Sequence, residues 1–173
     1  MKTREQIKGT KFEVWLEWLL KYHGFQNVAR NLQYRRQGRP YRQVDLAYNV
    51  MKEGMFYTVV VEAKYSSNGE IPYKLRTPKT KKRGQQVIRL DNLVDELAER
   101  QSFVGAHESC LVTNHTFSDD VKVAAKRYGM GVIESPGLQQ LYSQTGRSGT
   151  IDDSINSVVL KRIHWHKRSV YLR

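Results

Sequence analysis

VVVEAKY, residues 59–65, decides how the rest of the chain is read. Three consecutive valines point to a strand buried on both faces, because β-branched side chains suit a pleated backbone and a central strand has no wet side. The strand then runs straight into Glu62 and Lys64. Side chains alternate along a strand, so Val60, Glu62 and Lys64 share one face and Val59, Val61 and Ala63 the other. A core strand that ends in a carboxylate and an amine on one face needs a chemical reason.

The preceding stretch, QVDLAYNV (43–50), alternates in the same fashion, and MKEG (51–54) joins the two as a short hairpin connection. Folding the chain about Glu53 and Gly54 brings Asp45 opposite positions 60–62. Asp45 and Glu62 then lie side by side, with Lys64 one step beyond. Two ionised carboxylates this close repel unless a cation lies between them. A hard divalent ion meets that need and also binds a phosphate oxygen. A lysine beside it can hold an attacking water or stabilise negative charge at phosphorus. Taken singly, Asp and Lys at strand ends are usually solvated surface residues. Their combination at this spacing, after a buried valine run, argues for a site.

Outward from this hairpin, residues 7–22 read as a helix with Phe12, Trp15, Leu16 and Leu19 on one stripe, stopped by Gly24. QNVARNLQY (26–34) reads as a strand and RRQGRPYR (35–42) as a basic loop. Residues 66–83 form a long basic excursion. A helix is expected over 84–100, its stripe carried by Leu90, Leu93, Val94 and Leu97. SCLVTN (109–114) is another strand. Ser118 can cap a helix that ends at Gly129, and GVIES supplies a last short core strand. SPGLQQLYSQ can form one more helix, TGRSGTIDDS (145–154) reads as a linker, and the final residues as a basic strand or arm. The order αβββαβαβ suits an α/β fold with a central mixed sheet flanked by helices.

The chain has 173 residues and a formal charge of +12. An excess of this size says little about fold but points to an anionic partner, with nucleic acid first and a membrane surface second. No apolar run is long enough to span a bilayer and the N-terminus has no signal-peptide core, so a cytoplasmic protein is expected. Cys110 reads as a buried core thiol. Three basic clusters stand out: Arg30, Arg35, Arg36, Arg39 and Arg42; Lys74, Arg76, Lys79, Lys81, Lys82 and Arg83; and Lys161, Arg162, Lys167 and Arg168. The first two flank the proposed site in sequence. Tyr34, Tyr41 and Tyr73 are interleaved with them and could stack on bases. No sequence-reading module is visible, which favours recognition of backbone and shape. His164 and His166 lack a third metal ligand and read as ordinary strand residues.

An Asp, a hairpin and then Glu-x-Lys resembles the PD-(D/E)xK nuclease superfamily, with Val44 in place of the proline. KGTKFE (8–13) is similar to the first-helix signature of archaeal-type Holliday junction resolvases, although Val14 stands where arginine is usual. LVTNHTF and AAKRYGMGVIE look more like Mrr-type restriction nucleases. The resemblance implies a restriction-endonuclease-like fold, a nuclease domain over 1–143, and a linker with a basic C-terminal extension over 144–173. It implies that Asp45 and Glu62, with the Ala63 carbonyl, ligate Mg²⁺ or Mn²⁺, and that Lys64 activates water. Glu13 would bind the metal directly or through water. Gln86 lies in line with the buried stripe of its helix; pointing inward it would need a partner such as a site water, lysine or phosphate, and a surface glutamine at the helix end is the alternative. Arg30, Arg35, Arg36, Arg39, Lys74, Arg76, Lys79, Lys81, Lys82 and Gln86 would contact DNA. The expected activity is a homodimeric Holliday-junction-resolving endonuclease acting on four-way DNA. An Mrr-type restriction nuclease on duplex DNA, or a non-catalytic DNA-binding protein on a nuclease fold, are the alternatives.

Overall fold

A computed structural model describes residues 3–74, 92–161 and 167–173. Helix α1 (Arg4–Tyr22) opens on a reciprocal cap in which Thr3 accepts from the Gln6 amide and Gln6 reaches back to the Thr3 amide. Its buried stripe is Phe12, Trp15, Leu16, Leu19 and Leu20. Gly24, at φ 80°, turns the chain out of the helix. Three antiparallel strands follow: β1 (Gln26–Arg36), β2 (Arg39–Lys52) and β3 (Met55–Lys64). The expected basic loop at 35–42 is instead a two-residue turn at Gln37 and Gly38. Its arginines lie in the strands it joins, and the left-handed Gly38 makes the tight reversal possible. The β2–β3 turn has both Glu53 and Gly54 at positive φ, the geometry that matches strand twist.

Helix α2 (Leu93–Val104) is capped by the Asn92 side chain and ended by left-handed Gly105. It therefore runs four residues beyond the expected Arg100, while its expected beginning at 84–91 lies outside the described residues. Strands β4 (Glu108–Thr113) and β5 (Gly131–Ile133) join parallel to β3 and to β4, with α3 (Asp119–Arg127) between them. After α4 (Ser135–Ser143), the stretch expected as a linker contains α5 (Ile151–Asn156), whose Ile151 and Ile155 are buried. Strand β6 (Arg168–Tyr171) lies parallel to β1. The six strands run in the order β5-β4-β3-β2-β1-β6.

β3 is central, and Val59 to Ala63 are buried without interruption. One face of the sheet packs on α1, α4 and α5, with Phe12, Val61, Leu138 and Ile155 among the buried contacts. The other packs on α2 and α3 through Val60, Leu97, Leu111 and Val121. Cys110 is a buried thiol, as expected. No helix among the described residues is long and apolar enough to cross a membrane. Phe12 is fully buried and stacks on Trp15 at 6.2 Å. Phe12→Ala is expected to lose about 3–5 kcal/mol in urea denaturation. A loss below about 1 kcal/mol would place α1 outside the cooperative core.

Candidate active site

Pairing between β2 and β3 runs from Lys52 opposite Met55 to Leu46 opposite Val61 and stops there. β2 continues on β1 alone, through Val44 and Gln43. Asp45 sits at this fork, next in register to Glu62. Its Oδ2 accepts the Ala63 amide at 2.9 Å, a backbone donor that the parting strand no longer serves. The fork thus explains why the carboxylate is held here: a buried N–H must find an acceptor.

Glu62 is 2% exposed. Its Oε1 meets Lys64 Nζ at 2.5 Å, across the same strand face. Its Oε2 accepts from Arg100 Nη1, which reaches down from α2. Arg100 Nη2 also lies 3.4 Å from Glu96 Oε2, one turn back on its own helix. Burial pushes the Glu62 carboxyl up, but Lys64 and Arg100 outweigh burial and hold it below the usual range. Burial, and then the Glu62 charge, raise Asp45 to about 7, against the easing effect of Lys64, the Ala63 amide and Arg100. Burial depresses Lys64, and the two carboxylates more than restore it, so it stays protonated.

Asp45 Oδ1 makes no hydrogen bond among the described residues. Two adjacent carboxylates with a free lone-pair side and a nearby backbone carbonyl are hard oxygen donors, a set that fits Mg²⁺ or Mn²⁺. Among the described residues no three His, Cys, Asp or Glu side chains are gathered closely enough to hold an ion. Glu13 is half-buried on α1. Asn114 is buried at the end of β4. It clips the chain leaving β3, accepting from Ser66 N at 2.8 Å and donating to Ser66 O and to Asp152 Oδ1 of α5, each at 2.9 Å.

The family model described as Mrr_cat, restriction endonuclease, matches residues 4–142. The chain belongs to this restriction endonuclease family. The mixed sheet and flanking helices of this Mrr_cat domain are those of restriction-endonuclease-like structures. A crystal structure of a protein of unknown function, AF1548, is similar at a TM-score of 0.60 and 14% identity, over 90% of this chain and 73% of that one. Can2 from Sulfobacillus thermosulfidooxidans, in complex with cyclic tetra-adenylate, is similar at 0.51 and 13%, over 80% of this chain and 35% of that one. A fainter likeness, at 0.48 and 14%, joins the Mrr_cat chain to the DNA modification-dependent restriction endonuclease AspBHI, over 92% of this chain and 41% of that one. The Mrr_cat chain thus spans well under half the length of Can2 and AspBHI. No curated protein matches it.

The expected nucleic-acid contacts of the Mrr_cat domain are dispersed. Arg30 Nε lies 3.1 Å from Glu17, its side chain 9% exposed. Arg36 donates to the Phe103 carbonyl at 3.2 Å, and Arg42 pairs with Glu99 at 2.7 Å over the Phe103 ring. Arg35 bonds Ser169 at 3.3 Å and covers Tyr41. Arg39 and Lys74 are exposed. Tyr34, expected to stack on bases, is buried in the core instead. Arg76, Lys79, Lys81, Lys82, Gln86 and the pair His164 and His166 lie outside the described residues. Arg100 escaped the sequence reading. Its signal was a charge on the apolar stripe, seven residues after Leu93 and three after Leu97.

Proposed function

We propose that the chain is a metal-dependent endodeoxyribonuclease that hydrolyses a phosphodiester bond of duplex DNA, in the manner of an Mrr-type restriction nuclease. The observation that carries it is the meeting of Asp45, Glu62 and Lys64 where β2 leaves β3. Asp45, Glu62 and the Ala63 carbonyl would hold Mg²⁺ or Mn²⁺, with Glu13 linked through water. Such an ion, when bound, polarises a phosphate oxygen and lowers the pKa of water. Lys64, kept protonated by its carboxylate neighbours, orients the attacking water by hydrogen bonding and offsets charge on the phosphate. The water oxygen bonds to phosphorus and gives up a proton to solvent, while the bond to the leaving oxygen breaks in line and that oxygen takes a proton from solvent to leave as a hydroxyl. The formal charge of +12 supports attraction to the DNA backbone.

A junction-resolving activity, on a homodimer that cuts both strands, is the second reading. It is favoured by KGTKFE on α1 and by arginines held inside the fold rather than presented as a base-reading surface. One assay separates the two. Labelled linear duplex and four-way junction are incubated with protein in Mg²⁺ or EDTA. Metal-dependent cutting of duplex is expected. Paired nicks confined to the junction would move the assignment to the resolvase. Absence of cutting by folded protein on both substrates would sink the nuclease reading.

A further inference from the structure

We propose that Arg100 is a mobile cation of this site, which holds Glu62 until metal and DNA arrive and then moves to a phosphate oxygen of the DNA. The inference rests on the nuclease reading above and assigns a role to a residue on a separate element, α2.

The argument begins with charge. Asp45 and Glu62 bring two negative charges, and Lys64 and Arg100 bring two positive ones. With Asp45 ionised, as at pH 8, these four groups balance. A divalent ion entering beside them adds two positive charges and repels both cations on Glu62. Both oxygens of Glu62 also already face a cation, Lys64 at Oε1 and Arg100 at Oε2. A metal ion on either oxygen would sit against a cation, and that repulsion favours withdrawal of one of them.

Geometry selects Arg100. Lys64 is tethered two residues from Glu62 on the same strand face, so its reach always ends near that carboxylate. Arg100 arrives from a helix on a long side chain that is 21% exposed. It has an alternative acceptor in Glu96, one turn back, already 3.4 Å from its second terminal nitrogen. The next acid on the helix, Glu99, is taken by Arg42. Released from Glu62, the guanidinium keeps a planar set of donors suited to a phosphate, and it cannot lose its charge. A phosphodiester brings one of the negative charges that the metal-loaded site lacks, and loss of a proton from the attacking water supplies the other.

The test compares wild type, Arg100→Gln and Arg100→Lys, each first shown to be folded by circular dichroism and thermal melting. Binding of Ca²⁺ alone is measured by calorimetry, and cleavage of duplex in Mg²⁺. The salt dependence of duplex affinity is measured in Ca²⁺ and in EDTA. Arg100→Gln should bind Ca²⁺ about tenfold more tightly, because a competing charged hydrogen bond is gone. It should cut at least about a hundredfold more slowly. Its log–log salt slope should be shallower by about 0.9 in Ca²⁺ and unchanged in EDTA, reporting one phosphate contact made only in the loaded state. Arg100→Lys should keep Ca²⁺ affinity within about twofold of wild type yet lose the parallel donors and most of the cleavage. It carries the test if Arg100→Gln does not fold. Unaltered Ca²⁺ affinity and salt slope in Arg100→Gln would overturn the proposal while wild type still binds Ca²⁺ and cuts. Full cleavage by a folded Arg100→Lys would also overturn it. A wild type that neither binds Ca²⁺ nor cuts DNA would remove the nuclease reading, and this one with it.

Discussion

Asp45→Asn should lose cleavage by roughly a thousandfold or more while melting no lower than wild type at pH 8 in EDTA. The amide oxygen can still accept the Ala63 N–H, so the fork between β2 and β3 stays closed. What disappears is a charge that the metal-free fold holds at a cost. Asp45 is raised to about 7, by burial first and Glu62 second. Its unfolded value is near 4. Below pH 4 the group is neutral in both states and costs nothing. Between about 4 and 7 the unfolded chain sheds the proton and the folded chain keeps it, so stability falls as pH rises. Wild type should therefore lose melting temperature against Asp45→Asn across that window in EDTA, and Mg²⁺ should reverse the loss only in wild type. A variant that melts well below wild type at pH 8 would mark Asp45 as a structural residue.

Glu62→Gln should abolish cleavage to a similar degree but with the opposite effect on stability. Here burial is outweighed by Lys64 and Arg100, and the ionised form is the favoured one. The amide leaves two cations without their shared carboxylate. Breaking a buried ion pair costs about 3–5 kcal/mol. Lys64 and Arg100 are 29% and 21% exposed, so water recovers part of that. About 2–3 kcal/mol is the expected loss in urea denaturation at pH 8. The contribution of Glu62 is present above the ordinary carboxylate range and fades as pH falls through its lowered value. The gap between wild type and Glu62→Gln should accordingly narrow on acidification, whereas Asp45→Asn moves away from wild type as pH rises. Parallel pH profiles for the two variants would refute this division of roles.

The sheet and the meeting of Asp45, Glu62 and Lys64 could be read in the sequence because both depend on local rules. Alternation marked Val59 to Lys64, and the Glu53–Gly54 turn set the register that brings Asp45 to Glu62. Capping chemistry marked Ser118 as a helix start, whereas Asn92, which caps α2, lay inside the helix expected over 84–100. Contacts distant in sequence were harder. α5 has two buried isoleucines in six residues, too few for a helical period to emerge from TGRSGTIDDS. The tight turn at Gly38 was hidden among arginines that looked like a solvated loop. Those arginines were read by charge alone, and the acids that engage them, Glu17 and Glu99, lie on helices that only the tertiary fold brings near. Arg100 was legible only as a break in an apolar stripe, and its partner is 38 residues away.

Among the described residues, β6 pairs with Leu32 to Arg35 and no strand pairs with the outer side of the first half of β1. An uncovered length of strand is a template on which another chain can add itself. In that half, Asn27 and Asn31 both adopt left-handed backbone, at φ 52° and 56°, and the pairing with β2 shifts register between Gln26 and Ala29. Each kink interrupts the row of donors and acceptors that an incoming strand would need. The two left-handed asparagines thus make this half of β1, among the described residues, a poor template for strand addition.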